Sequence, residues 1–229
     1  MKRALITGSS AGIGQALARQ WAEQGIAVTG IARRKQQHDF PMQAVQLDLA
    51  DLDALPTQLK QLPELQQQFD VLVLNAGYGR FGGIESFSYQ QMQQLINTNL
   101  MSNLYMLKHF LPDFKRRGGV DIVIMGSESA LQGARQGAVY CASKFALRGL
   151  AQSLQADCAG SDIRVMLINP GPVRSDFFNE LHFEPLPEES FALRPEAVAE
   201  QISAALQQSR NKELLEVNLQ PPKRGFRKK

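Results

Sequence analysis

The chain of 229 residues contains 44% apolar and 21% charged side chains, together with 18 glycines and 11 prolines. This composition is that of an ordinary globular protein and excludes disordered, collagen-like and disulfide-dense classes. The net charge of +3 arises from 25 basic and 22 acidic residues, but five of the basic residues lie at positions 223–229. The rest of the chain is slightly acidic, so we expect no nucleic-acid partner.

No apolar run approaches the roughly 18 residues that a membrane span needs, and Thr7 comes too early for a secretory signal. Cys141 and Cys158 fall about 25 Å apart in one helical pattern, too far for a disulfide, so both thiols should be free. We therefore expect a cytoplasmic protein with no membrane partner. The three histidines, His38, His109 and His182, lack further ligands at suitable spacing, so no metal site is expected.

Short runs rich in leucine and β-branched residues recur along the chain and are apolar throughout, as parallel strands buried on both faces are. They predict seven strands near residues 3–7, 27–31, 43–47, 71–74, 121–125, 164–168 and 214–218. Helical patterns fall between them at about 12–24, 89–116, 139–159 and 195–208, while residues 35–41 leave room only for a turn. This alternation predicts an α/β fold: a Rossmann-like, doubly wound sheet of seven mostly parallel strands with helices on both faces, in a three-layer sandwich.

No repeat or interdomain linker interrupts this pattern, so we expect one domain at residues 1–220 followed by a basic tail at residues 221–229. The tail could bind nucleic acid or an acidic partner, but a solvated and poorly ordered end is the favoured interpretation.

A glycine-rich segment, Thr7-Gly8-Ser9-Ser10-Ala11-Gly12-Ile13-Gly14, directly follows the first strand and opens the first helix. Glycines permit a tight turn, and the helix N-terminus offers unpaired N–H groups to a pyrophosphate. A tight turn without any ligand is the alternative interpretation of this segment alone.

Further motifs follow in order. They are Asp48-Leu49, Asn75-Ala76-Gly77, Asn99, Ser127, Tyr140-Cys141-Ala142-Ser143-Lys144 and Asn169-Pro170-Gly171. With the TGxxxGxG spacing at Thr7, they make residues Thr7 to Ser175 resemble the short-chain dehydrogenase/reductase family, in its compact single-domain branch.

The resemblance implies a nicotinamide dinucleotide cofactor bound at the carboxyl ends of the strands. Asp48 would hold the adenine amino group, and Pro170-Gly171 would face the nicotinamide. The full set of implied cofactor contacts is Gly8, Ser10, Gly12, Ile13, Gly14, Arg33, Arg34, Asp48, Leu49, Asn75, Ala76, Gly77, Tyr140, Lys144, Pro170, Gly171, Val173 and Ser175.

Arg33 and Arg34 follow the second strand, where an enzyme of this fold that selects NAD usually carries an acid; that position is Ala32 here. Guanidinium groups can pair with a 2′-phosphate, so we expect NADP(H) to be preferred, with NAD(H) possible. The alternative is that both arginines are solvated ends of a turn.

Tyr140 and Lys144 stand one helical turn apart on one face of a helix. A nearby lysine cation and an oxidised nicotinamide would lower the pKa of the phenol from its usual value near 10, making Tyr140 the general acid or base. The resemblance implies that Ser127 hydrogen-bonds the substrate oxygen and that the backbone carbonyl of Asn99 holds a water of a proton relay. Ser129 is the alternative serine.

These features predict an NADP-dependent oxidoreductase that interconverts a small-molecule carbonyl and a secondary alcohol by hydride transfer. A non-catalytic NADP(H)-binding sensor or scaffold is the alternative. The resemblance also implies a homodimer or homotetramer formed through the helices around 103–115 and 141–157. Glu128 either points into solvent or favours a cationic substrate group. Four phenylalanines between residues 176 and 195 suggest a substrate lid, a buried cluster, or both.

Overall fold

The computed structural model describes residues 2–34, 38–208 and 214–229. Its strands are β1 (Arg3–Thr7), β2 (Ala27–Ala32), β3 (Gln43–Gln46), β4 (Val71–Leu74), β5 (Val120–Met125), β6 (Ile163–Pro170), β7 (Phe183–Pro185), β8 (Glu216–Leu219) and β9 (Phe226–Lys228). Its α-helices are α1 (Gly12–Glu23), α2 (Leu55–Gln61), α3 (Tyr89–Ile96), α4 (Ser102–Arg117), α5 (Ala138–Cys158) and α6 (Pro195–Gln207).

Seven strands form one sheet in the order β3-β2-β1-β4-β5-β6-β8, and all six pairings are parallel. This confirms the predicted Rossmann-like, doubly wound sheet. The chain moves outward from β1 in one direction through β2 and β3, and in the other through β4, β5, β6 and β8. The order therefore reverses between β1 and β4, and the carboxyl ends of those strands border the crevice where such sheets bind ligands.

Successive side chains of a central strand pack into two different hydrophobic clusters. Leu5 of β1 packs in a cluster with side chains of α2, α4 and α5, whereas its neighbours Ala4 and Ile6 pack in a second cluster with α1 and α6. The second cluster includes the fully buried Trp21, whose Nε1 donates a hydrogen bond of 2.8 Å to Ser203 Oγ on α6. Burial on both faces explains why the strands are apolar throughout. Among the described residues, no helix is long and apolar enough to cross a membrane.

Two helical regions differ from the predictions. Helix α2 was not predicted, because it has only seven residues and buries only Leu55 and Leu59, too short a stretch to show helical periodicity. The predicted helix at 89–116 is α3 and α4 joined by a π-helical turn at Asn97–Met101. The predicted link after β2 contains no helix at residues 38–41, while residues 35–37 lie outside the described residues.

Residues 222–229 are mostly exposed, as expected of a solvated tail, but the expectation that the tail is poorly ordered is wrong, because part of it forms a strand. Strand β9 pairs antiparallel with β7, which lies in the segment between β6 and α6. Arg227 faces Glu184 across this pair and donates two hydrogen bonds to its Oε1, at 2.9 Å from Nε and 2.5 Å from Nη2. The basic composition concealed this strand, because the partner of Arg227 lies 43 positions earlier in the chain.

Candidate active site

The glycine-rich turn after β1 is held in a conformation that only small residues permit. Gly8 has a φ of +68°, and a Cβ atom on it would lie 2.9 Å from Ala76 Cα. A Cβ on Gly14, in the first turn of α1, would lie 2.3 Å from the carbonyl oxygen of Gly8. The turn and the helix are therefore packed as closely as glycine allows.

The N-terminus of α1 is open to an anion. Its N-cap residue, Ala11, makes no side-chain capping bond, and the first turn contains no acidic residue. The turn lies at one end of a cleft of about 800 Å³. Unpaired N–H groups and the positive end of the helix dipole suit a pyrophosphate, so these residues fit a dinucleotide.

Most of the predicted site residues line this one cleft. They are Gly8, Ser10, Gly12, Ile13, Arg33, Arg34, Asp48, Leu49, Asn75, Ala76, Gly77, Ser127, Tyr140, Lys144, Pro170, Gly171, Val173 and Ser175. Gly14 and Asn99 are not part of the lining but lie against residues that are, Gly8 and Gly77 respectively. The sheet thus brings together residues from positions 8 to 175.

Two arginines and a carboxylate lie at the end of the cleft formed by β2 and β3. Arg33 and Arg34 directly follow β2, and Asp48 follows β3; all three are exposed. Asp48 Oδ1 accepts a hydrogen bond of 2.9 Å from the N–H of Ala50, which holds the carboxylate in place. This end of the cleft therefore carries two guanidinium groups, of the kind that pair with phosphates, and one carboxylate.

Asn75 fastens the end of β4 to the glycine-rich turn. Its Nδ2 donates to the carbonyl oxygens of Thr7, at 3.0 Å, and Gly8, at 3.1 Å. Thr7 Oγ1 in turn accepts from the backbone N–H groups of Asn75 and Ala76, at 2.9 and 3.0 Å. These bonds hold the two central strands together at the point where the strand order reverses.

The proposed reacting groups occupy the other end of the cleft. Tyr140 and Lys144 come from the first two turns of α5, and Lys144 Nζ lies 5.9 Å from the centre of the Tyr140 ring. Lys144 Nζ donates a hydrogen bond of 3.0 Å to the carbonyl oxygen of Met125, the last residue of β5. Ser127 follows β5 and interacts with the Tyr140 side chain. Both Ser127 and Ser129 line the cleft, and Ser127 Oγ also accepts from the N–H of Ser129, at 3.1 Å.

The lowered pKa expected for Tyr140 depends on a bound oxidised nicotinamide as well as on Lys144, and the protein's own groups do not produce it. Burial raises the pKa of Tyr140 to about 12, and the interaction with Ser127 offsets this only in part. Burial also lowers the pKa of Lys144 to about 8. Desolvation thus raises the pKa of Tyr140 by more than the hydrogen bond with Ser127 lowers it, so Tyr140 holds its proton at neutral pH.

Asn99 lies fully buried within the π-helical turn, as its expected role in kinking the helix requires. Its side chain pairs with Tyr78, accepting from the N–H and donating to the carbonyl, both at 3.0 Å. Its Nδ2 also donates to Ser143 Oγ on α5 at 3.2 Å. The backbone carbonyl of Asn99 accepts a hydrogen bond of 2.8 Å from Asn103 Nδ2.

Aromatic rings cover the catalytic end of the cleft. The Tyr140 ring lies 5.1 Å from that of Phe81 and 5.8 Å from that of Phe177, measured between centroids. A Cβ on Gly79 would lie 2.3 Å from Phe177 Cζ, so this ring rests on the backbone after β4. Phe177 belongs to the segment between β6 and α6, which is called the cover below. The ring contacts agree with the sequence-based suggestion that phenylalanines of this segment lie over the site.

Two contributors to the site were missed from the sequence. The first is Asn169, which was recognised within a motif but given no role. It is fully buried in β6, and its Oδ1 accepts from the N–H of Ser127 at 3.2 Å. The second is Phe226 of the tail, which lines the cleft; a single phenylalanine within a basic run was the available signal.

Glu128, which the sequence left open, faces the tail. Its Oε2 lies 3.6 Å from Arg224 Nη2.

Comparisons with known proteins agree with this architecture. Residues 2–184 match the family model described as short chain dehydrogenase. An alcohol dehydrogenase from the archaeon Thermococcus sibiricus, solved complexed with 5-hydroxy-NADP, superimposes with a TM-score of 0.84 at 28% identity, covering 98% of this chain and 99% of that one. Serine dehydrogenase from Escherichia coli gives a TM-score of 0.81 at 26% identity, covering 95% and 96%.

Sequence relatives include human 17-beta-hydroxysteroid dehydrogenase type 1, which is 35% identical over 140 residues, or 61% of this chain and 42% of that enzyme. An uncharacterized oxidoreductase of Staphylococcus epidermidis is 26% identical over 227 residues, 96% of this chain and 97% of that protein. The chain thus spans less than half of the human enzyme but nearly all of the bacterial one. Since the family model matches most of its length, the chain belongs to the short-chain dehydrogenase/reductase family of NAD(P)-dependent oxidoreductases.

Proposed function

We propose that the protein is an NADP-dependent oxidoreductase that interconverts a small-molecule carbonyl and a secondary alcohol. The observation that carries this proposal is that Ser127, Tyr140 and Lys144 line the same cleft as the glycine-rich turn at Gly8. A protein that only sensed the cofactor would not need a buried tyrosine and lysine, each of which is costly to desolvate.

The residues divide between binding and proton transfer. The N–H groups at the start of α1 would hold the pyrophosphate of the cofactor, Asp48 would hold the adenine, and Pro170 and Gly171 would face the nicotinamide. The cofactor, when bound, supplies or accepts the hydride. Ser127 Oγ donates a hydrogen bond to the substrate oxygen and so orients it toward the Tyr140 hydroxyl.

Tyr140 gives its phenolic proton to the carbonyl oxygen in the reductive direction. Because burial raises its pKa to about 12, the hydroxyl is fully protonated at neutral pH in the free protein and ready to act as an acid. Lys144, one helical turn away, positions the cofactor and passes a proton back toward Tyr140. The carbonyl of Asn99 holds a water in this relay.

NADP is the proposed cofactor because Ala32 supplies no carboxylate at the end of β2, whereas Arg33 and Arg34 supply two guanidinium groups at the rim of the cleft. The dehydrogenase names of the relatives fit a reaction between a carbonyl and an alcohol. The complex of the Thermococcus sibiricus alcohol dehydrogenase contains 5-hydroxy-NADP.

We further propose self-association through α4 and α5, for which the exposed aromatic ring of Phe145 on α5 offers an apolar contact. The free thiols of Cys141 and Cys158 favour a reducing compartment such as the cytoplasm.

A panel of uncharged aldehydes and ketones, followed by the absorbance of NADPH and separately of NADH, tests the proposed function. We expect carbonyl-dependent oxidation of NADPH. Tight binding of NADPH without oxidation by any carbonyl, and without reduction of NADP by the matching alcohols, would instead favour the sensor function.

A further inference from the structure

The C-terminal segment, residues 221–229, runs beside the catalytic end of the cleft. It begins where β8 ends, next to the proposed nicotinamide-binding Gly171, whose N–H donates to the carbonyl of Leu219 at 2.7 Å. Pro221 is buried. Its Cδ lies 3.0 Å from the position that a Cβ on Gly171 would take. The segment therefore leaves the sheet directly at the proposed active site.

Backbone hydrogen bonds hold this segment against the cover between β6 and α6. The N–H of Lys223 donates to Ser190 O at 2.9 Å, that of Leu186 to Gly225 O at 3.1 Å, and that of Lys229 to His182 O at 3.0 Å. Together with the β7–β9 pairing, they bind the C-terminal segment and the cover into one unit.

Three basic side chains of the segment contact other parts of the protein. Besides the Arg227–Glu184 pair, Arg224 faces Glu128, the residue after Ser127, at 3.6 Å. Lys223 Nζ lies 5.9 Å from the centre of the Phe191 ring. Exposed pairs of this kind contribute little energy individually, so the backbone hydrogen bonds carry more of the attachment.

Phe226 is the apolar side chain that this strand adds to the cleft. Its ring lies 5.6 Å from that of Phe183, which lies 5.2 Å from Phe81, which lies 5.1 Å from Tyr140. Phe226 also approaches Phe178, at 6.3 Å. A continuous row of rings thus leads from Tyr140 to the C-terminal strand. Phe226 is 48% exposed and lines the cleft, so a large part of an apolar ring faces the space that a substrate would enter.

We propose that Phe226 is a specificity-determining residue that contacts the non-reacting part of an apolar, aromatic or long aliphatic carbonyl substrate whose oxygen lies at Tyr140. This inference rests on the proposed function. Side chains alternate between the two faces of a strand, so Arg227 of β9 points to Glu184 while Phe226 points to the opposite face. An exposed ring adjoining others gains contact area when an apolar ligand covers it.

The test compares Phe226→Ala with Phe226→Leu and with Tyr89→Ala, which removes an aromatic ring that is 90% exposed at the start of α3, outside the cleft lining. The substrates are 2-butanone and 4-phenyl-2-butanone, methyl ketones that differ in the phenyl group. We expect Phe226→Ala to lower the ratio of kcat/KM for the phenyl ketone over that for butanone about tenfold, mainly through KM. Leucine should restore part of it, and Tyr89→Ala should leave the ratio unchanged.

Binding of the phenyl ketone to the NADPH-loaded protein, measured by saturation-transfer NMR, gives a readout independent of turnover. If no carbonyl of the panel, including both ketones, is reduced but binding of the phenyl ketone weakens selectively in Phe226→Ala, the proposed function fails and the assignment of Phe226 stands. If both ketones are reduced and the ratio is the same in all variants, the proposed function stands and the assignment is wrong. Failure of the wild-type protein to bind the phenyl ketone would also overturn it.

Discussion

Replacing Lys144 by methionine should stabilise the cofactor-free protein near neutral pH and remove part of the pH dependence of its unfolding. The lysine is buried, and its pKa falls from the usual 10.5 to about 8 in the folded protein. The unfolded chain therefore binds one more proton than the folded protein between these two values. Stability consequently rises with pH across this window, and below pH 8 the full cost of burying the cation is present.

The magnitude follows from the size of the shift. At pH 7 the difference between the two pKa values destabilises the wild-type protein by about 3 kcal/mol. Methionine removes this cost but also loses the hydrogen bond to Met125 O, which is worth about 1 kcal/mol. The variant should therefore be more stable by about 2 kcal/mol at pH 7, and this advantage should nearly vanish at pH 9.5.

Urea unfolding at pH 7 and pH 9.5 measures both values, with the fluorescence of Trp21, the one tryptophan of the chain, as the signal. Lys60→Met, at an exposed position on α2, controls for the loss of a charge. If the difference between Lys144→Met and the wild type is the same at both pH values, Lys144 does not titrate between them and the assigned burial effect is wrong.

Three further changes test the binding and catalytic assignments. Ala32→Asp combined with Arg33→Ala should lower the ratio of kcat/KM for NADPH over that for NADH. The first change adds an acceptor for ribose hydroxyls, and the second removes a phosphate partner. An unchanged ratio would show that this end of the cleft does not select the cofactor. Gly14→Ala places a Cβ 2.3 Å from a backbone oxygen and should lower the free energy of unfolding by about 1–3 kcal/mol and weaken NADPH binding, measured by fluorescence. Gly133→Ala, at an exposed position where a Cβ meets nothing within 4 Å, is the control, and equal effects of the two would refute the packing argument. Ser127→Ala should reduce kcat with little change in the affinity for NADPH, and a reduced affinity alone would point to a structural role.

The strands and the cofactor end of the site were predictable because local patterns determine them. Strands buried on both faces leave uninterrupted apolar runs, as at Val71–Leu74, and a turn that needs glycine at Gly8 and Gly14 allows few other residues. The parallel order then follows from the connections. The strands and the glycine-rich turn are therefore determined by residues that are close together in the sequence.

The remaining features depend on contacts between distant segments. Strand β9 exists because its three residues meet β7, more than 40 positions earlier in the chain, and nothing in a basic run predicts that partner. Likewise, the i,i+4 spacing of Tyr140 and Lys144 predicts proximity but not burial. The raised pKa of Tyr140 results from the packing of Phe81 and Phe177 around it, which sequence spacing does not reveal.

The most direct test of the proposed chemistry is the turnover number of Tyr140→Phe for NADPH-dependent reduction of a carbonyl that the wild-type protein reduces. Tyr89→Phe, which removes an exposed hydroxyl, is the matched control. We predict a loss of at least about 100-fold in kcat, with NADPH affinity close to that of the wild type. Turnover by Tyr140→Phe near the wild-type value would contradict the assignment of Tyr140 as the general acid and, with it, the proposed mechanism.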